Sequence, residues 1–318
     1  MDYTNKMKVI YGDSTLGLVG DNFAYLFSYE RGGLESLKQN NLEWLYRVPT
    51  PSFWRATTDN DRGNGFNLRS AQWFGADMFS KCLSDETTLA IDGNAPAKVP
   101  IAPITTTFSN REYAKQATLT FTYATLTVPS TRVTVQYTVK ESGEMRVKVK
   151  YRGNDALPQL PVFGLRLIMP SVAEQYEYIG LSSETYPDRM AGAKQGKYVI
   201  KGLPVTNYLV PQENGMHMKT EQLIITRKNK AGKGQPLTIS RDGAPFNFSC
   251  LPYTAEELES ATHIEELPLA RRTVLLVAGA VRGVGGINSW GADVEPQYQI
   301  SAGKDIEFSF MIEPARQK

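Results

Sequence analysis

The chain has two cysteines, Cys82 and Cys250, and two histidines, His217 and His263, in 318 residues. Neither cysteine lies in a C-x-x-C pair, so no disulfide framework is predicted, and two scattered histidines do not supply a His-rich zinc or iron site. Charge of one sign is not in excess, with 35 Lys and Arg against 33 Asp and Glu. The densest basic stretch, Lys228 to Lys233, is short, which argues against a nucleic-acid or anionic-membrane surface. Apolar runs stay well below the length that spans a bilayer. The opening MDYTNKMKVIYGD has neither the charged nor the apolar region of a secretory signal. Together these absences predict a cytoplasmic protein with a neutral partner, binding neither nucleic acid nor membrane.

Strict alternation of apolar and polar residues, the mark of a half-buried strand, is abundant. Met145, Val147, Val149 and Tyr151 alternate with Arg146, Lys148 and Lys150, and similar runs occupy Leu119 to Tyr123, Val133 to Val139 and Ile306 to Ile312. Thr273 to Val281 is apolar almost throughout and is expected to lie between two layers. Helix signals are few: a capping box at Thr254-Ala-Glu-Glu257, and room for a second helix over Arg69 to Phe79. Gly93 to Pro103 reads as a long surface loop, since strand patterning continues on both sides. The expected architecture is all-β, one domain over residues 1–318, built as a large antiparallel two-sheet sandwich with few short helices.

Chemistry has few candidates. Gly283-Val-Gly285-Gly286 lacks the following helix that a dinucleotide site needs, so it reads as a loop of unusual backbone conformation. His217 and His263 have no nucleophile or carboxylate at motif spacing and read as structural or surface residues. A glycosidase needs two flanking carboxylates, and no pair stands out. The densest polar cluster is Phe53 to Phe66, where Asp59, Asn60 and Asp61 between Arg55 and Arg62 suit a buried turn held by charge-assisted hydrogen bonds. Gly63 and Gly65 would free the loop that follows. Trp54, Phe66 and Trp73 add the aromatic content of sugar sites, leaving this cluster equally open to a structural and a site-lining role. Tyr186-Pro187-Asp188-Arg189 and Pro211-Gln212-Glu213-Asn214-Gly215 read as structure: a local Asp188–Arg189 pair and a hairpin turn at Asn214-Gly215. Trp290, between Ser289 and Gly291 in a glycine-rich loop, is a large aromatic where no core is expected.

Four of these stretches share one resemblance. Arg55-Ala-Thr-Thr-Asp59-Asn60-Asp61 with Gly63, Tyr186-Pro-Asp-Arg189, Glu213-Asn-Gly215, and Gly285-Gly-Ile-Asn-Ser-Trp290 followed by Ile300-Ser-Ala-Gly303 resemble, in order, the C-terminal domain of the large cytoplasmic β-galactosidases. That domain is a galactose mutarotase-like supersandwich. In those enzymes a separate barrel domain carries the two catalytic glutamates, one within an Asn-Glu dipeptide, and this sequence contains no such dipeptide. The chain opens on Met1 and closes soon after the last matching strand. It is therefore similar to the small subunit of the heterodimeric β-galactosidases of lactic acid bacteria.

The resemblance implies retaining hydrolysis of lactose and other β-D-galactosides by an assembly in which a large subunit carries both carboxylates and the magnesium and sodium ligands. No catalytic residue and no metal are then assigned to this chain. Trp290 would face the active-site mouth and stack on a sugar ring, and the segment from Gly63 would be a movable part of that mouth. Two competing readings are a stand-alone aldose 1-epimerase, which wants a His and a Glu across a sugar pocket, and a non-catalytic carbohydrate-binding module.

Overall fold

The computed structural model describes residues 6–99 and 112–315. Every alternating run forms a strand. Gln116–Ala124, Arg132–Lys140, Met145–Tyr151 and Ile306–Ile312 are antiparallel neighbours at the centre of an eleven-stranded sheet, with alternate residues turned inward. Lys228 to Lys233 closes the hairpin between Gln222–Lys228 and Gly234–Arg241 in the same sheet. A six-stranded and a five-stranded sheet complete the set among the described residues.

Both smaller sheets pack on the large one, which makes the two layers of the expected sandwich. Phe27 of the six-stranded sheet meets Phe121 and Tyr137 at ring separations of 6.4 and 5.4 Å. Phe163 of the five-stranded sheet meets Tyr151 and Phe308 at 5.5 and 5.8 Å. The two smaller sheets join where the Tyr46 amide donates to the Ile168 carbonyl at 2.7 Å. One hydrophobic cluster draws on all three sheets.

The five-stranded sheet runs in the order Met216–Thr220, Phe246–Leu251, Thr273–Val281, Val162–Met169 and Thr50–Ser52. Its central strands are covered on both faces, which explains the unbroken apolar run over Thr273 to Val281. Leu165, Leu167 and Met169 point into the main core, and Arg166 alternates with them toward the outer face.

Four short α-helices lie among the described residues: α1 Asp59–Gly63, α2 Phe66–Arg69, α3 Gln72–Phe79 and α4 Ala255–Ser260. The expected capping box of α4 is present, with Thr254 Oγ1 accepting from the Glu257 amide and Glu257 accepting from the Thr254 amide. Helices α3 and α4 converge on Arg166, which pairs with Asp77 at 2.6 Å and Glu256 at 2.7 Å. The other oxygen of Asp77 accepts from Ser52 Oγ and the Phe53 and Trp54 amides. That carboxylate thus fixes the chain just before Arg55.

Several local expectations change. The polar turn at Asp59 is a one-turn helix, because Thr58 and Asp61 cap each other reciprocally with Asp standing where Glu or Gln is usual. The stretch directly after Gly63 turns into helix α2 rather than an open loop, while the helix expected within Arg69 to Phe79 is present as α3. Asn214-Gly215 makes no hairpin: no strand precedes it, and Asn214 instead accepts from the Thr206 amide and donates to the Gln212 carbonyl. The Gly93 to Pro103 loop contains a short strand, Ala97–Lys98, paired with Thr88–Ile91, and its residues 100–103 lie outside the described residues.

His217 is structural. It is enclosed by Tyr176, Tyr178 and Phe248, with its ring nitrogens 3.1 Å from Tyr176 Oη and 3.0 Å from the Ser183 carbonyl. Burial lowers its pKa to about 4. His263 lies on the surface beside Glu266. Cys82 and Cys250 are unpaired thiols. No helix among the described residues is long and apolar enough to cross a membrane.

Candidate functional site

Two of the polar stretches singled out in the sequence, Arg55 to Asp61 and Tyr186 to Arg189, grip the backbone of residues 282–285 at the exit of strand Thr273–Val281, and Glu213 joins them through Tyr186. Arg55, buried to 2 % exposure, donates to the Arg282 carbonyl at 2.7 Å and the Gly283 carbonyl at 2.8 Å. Its Nη2 also reaches both oxygens of Asp61, 1 % exposed, at 3.0 and 3.2 Å. Asn60 Nδ2 donates to the Val284 carbonyl at 2.9 Å. From the opposite side, Asp188 accepts from the Val284 and Gly285 amides at 3.0 and 2.8 Å, and Arg189 donates to the Gly285 carbonyl.

A second tier braces the first. Gln212 binds Asp59 at both the amide and the carboxylate, at 3.0 and 3.1 Å. Arg62 joins Asp59 to the Pro211 carbonyl. Tyr186 donates to the buried Glu213 at 3.3 Å, and burial pushes the Glu213 carboxyl up to about 7 against the pull of nearby Arg55. Arg282 is fully buried, lies 3.8 Å over the Phe66 ring, donates to Gln159, and pairs with Asp293. Asp293 in turn holds Arg69 of α2 at 3.0 Å.

Beyond this anchor the loop projects outward. Gly285 and Gly286 have φ of +70° and +79°, and a Cβ on Gly286 would stand 2.9 Å from Asn60 Nδ2, so the bend needs glycine. A Cβ on Gly291 would stand 3.0 Å from the Gly63 carbonyl, which places the far side of the loop against the end of α1. Between these points Asn288 accepts from the Trp290 and Ala292 amides, closing a compact tip. Trp290 sits on that tip with 89 % of its surface exposed.

The family described as Beta galactosidase small chain matches over residues 19–312. This chain belongs to the β-galactosidase small-chain family. A beta-galactosidase small subunit of Latilactobacillus sakei is 55 % identical over 98 % of this chain and 99 % of its own length. A beta-galactosidase of Halalkalibacterium halodurans is 35 % identical over 96 % of this chain, which spans only 28 % of that relative. A solved galactose mutarotase-like protein from Lactobacillus casei covers 96 % of this chain and 99 % of its own, at 11 % identity and a TM-score of 0.42.

Within this small chain, Arg55, Asn60 and Asp61 grip or support the Trp290 loop, and Gly63 abuts it. Asp59 stands apart: its carboxylate is 74 % exposed and paired with Arg62 on the surface. Trp54, Phe66 and Trp73 are buried. Trp73 stacks on Phe53 at 5.3 Å and donates to the Pro158 carbonyl, Trp54 packs on Phe74, and Phe66 lies under Arg282. The Asp188–Arg189 pair is long, at 3.9 Å, because Asp188 is engaged with the loop amides. Sequence reasoning missed Asp293 and Arg282, and took Gln212 only as part of a structural turn; an arginine directly after a nine-residue apolar strand was the available signal for Arg282. No cluster of three His, Cys, Asp or Glu side chains suited to a metal occurs among the described residues.

Proposed function

We propose that this protein is the small subunit of a two-chain β-galactosidase and completes, with Trp290, a sugar site whose catalytic carboxylates belong to the larger chain. The observation that carries the reading is the exposed Trp290 indole on a loop fixed at its base by four side chains, Arg55, Asn60, Asp188 and Arg189. A flat aromatic face of this kind stacks on the apolar face of a galactosyl ring. The larger chain would supply the acid and the nucleophile of a retaining displacement on lactose and other β-D-galactosides, together with the magnesium and sodium sites. Arg55, Asn60, Asp61 and Gly63 act in this reading as positioning residues, and Asp59 as an outer brace. The same reading takes residues 1–318 as one domain and places the protein in the cytoplasm, where Cys82 and Cys250 stay reduced.

The purified chain alone is expected to hydrolyse no chromogenic galactoside, and addition of the larger chain to confer turnover. In the assembled enzyme, Trp290→Ala is expected to weaken galactose-type inhibitors about 10- to 100-fold, the loss of one ring contact worth roughly 1 to 3 kcal/mol. Because the ring is exposed, the melting temperature should hold. Turnover by the small chain alone, or unchanged inhibitor affinity in Trp290→Ala, would overturn the reading.

A further inference from the structure

On the outer face of the five-stranded sheet, between α3 and α4, lies an open cleft of about 440 Å³. Arg166 forms part of its lining and is neutralised there by Asp77 and Glu256. Arg47, Arg271 and Arg272 also line it, and none of them forms an ion pair among the described residues. The lining as a whole holds four arginines against three carboxylates, Asp77, Glu256 and Glu257, so positive charge is in slight excess. Arg272 is stacked 3.4 Å from the Tyr46 ring centre and so is held in place. The same lining carries Met78 and Leu269, the latter 91 % exposed.

We propose that this cleft receives an acidic segment of the larger β-galactosidase chain, with Arg47, Arg271 and Arg272 meeting its carboxylates and Met78 and Leu269 its apolar side chains. The proposal rests on the two-chain reading above and adds where the chains join. Charge selects an anionic occupant, and the apolar flank selects polypeptide over a free anion, which would leave Leu269 in water. Arginine, methionine and tyrosine together are the residues enriched in protein interfaces. In the H. halodurans relative the matching region is 28 % of one chain, so a surface of this fold has to face the remainder. The cleft floor is also tied to the site: Asp77 holds Arg166 and the Phe53 and Trp54 amides, and Arg55 follows directly in the chain.

The test measures binding of the full small chain to the larger chain of the same organism by titration calorimetry. R271E/R272E is expected to raise the Kd about tenfold or more at about 50 mM salt, with the gap narrowing as salt screens the contact. K230E/K233E, carrying the same change of charge on the Lys228 to Lys233 hairpin, is expected to bind as wild type. Leu269→Asp disturbs little within the chain and is expected to weaken binding even if the double arginine variant folds poorly. Equal binding by wild type, Leu269→Asp and a folded R271E/R272E overturns the cleft, as does an equal loss in K230E/K233E. Failure of the wild-type chains to associate overturns the two-chain reading, and the cleft with it.

Discussion

Asp59 and Asp61 stand two residues apart in a motif that treats them alike, and the structure predicts that alanine separates them sharply. Asp61 is 1 % exposed, pairs with an equally buried Arg55, and accepts from the Thr58 amide in the capping box of α1. Removing one partner of a buried pair leaves an uncompensated charge and costs about 3 to 5 kcal/mol. At about 2.1 cal/mol/K per residue, the unfolding entropy of a 318-residue chain is about 0.7 kcal/mol/K, so a loss of about 4 kcal/mol lowers the melting temperature by about 6 °C. Asp59 sits in a pair whose carboxylate is 74 % exposed, and exposed pairs contribute about 0.2 to 1 kcal/mol, at most about 1.5 °C here. Scanning calorimetry of Asp59→Ala and Asp61→Ala beside wild type measures both. An Asp61→Ala protein melting with wild type, or the two variants falling equally, would refute the assignment of the buried charge.

Trp73→Ala is expected to cost about 3 to 5 kcal/mol through the cavity it opens beside Phe53 and Tyr151, and to spare inhibitor affinity in whatever fraction remains assembled. A selective loss of affinity at full stability would restore Trp73 to the sugar site. The Glu213 carboxyl gives a pH signature. Between the ordinary 4.5 and about 7 the folded chain keeps a proton that the unfolded chain has released. This contribution is therefore complete below the lower value and is lost as pH rises through the upper one, in total on the order of 3 kcal/mol. Glu213→Gln removes that slope, so the melting temperatures of variant and wild type should diverge from pH 5 to pH 8 in favour of the variant; parallel curves would show that Glu213 does not titrate there.

The strands were legible because alternation follows directly from a period of two and a one-sided core, as in Met145–Tyr151. The site was legible as four unusual stretches, since turns dense in Asp, Asn, Arg and Gly have few other causes. What local sequence does not carry is the direction in which a side chain is finally buried. Trp73 and Trp290 are the same residue with opposite fates, because one faces a sheet and the other tips a loop whose foot is already occupied. The one-turn helix α1 escaped notice for a different reason: five residues are too few to show a period of 3.6, and its capping box ends in aspartate. The engagement of Asp188 with residues 284 and 285 is a contact across 96 positions of chain, which no local pattern announces.

The inner tier of the anchor under the Trp290 loop reads the main chain of residues 282–285. What Arg55, Asn60, Asp188 and Arg189 take from residues 282–285 is carbonyls and amides, none of which belongs to the side chains of the tip. The foot therefore works like a tool holder that accepts interchangeable bits. With glycine kept at 285, 286 and 291, the tip residues 287, 289 and 290 can be exchanged without dismantling what holds them. Diversification in nature, or in a library built on those three positions, is thereby decoupled from foldability: new tip chemistries can be sampled on a frame that does not have to be repaired each time.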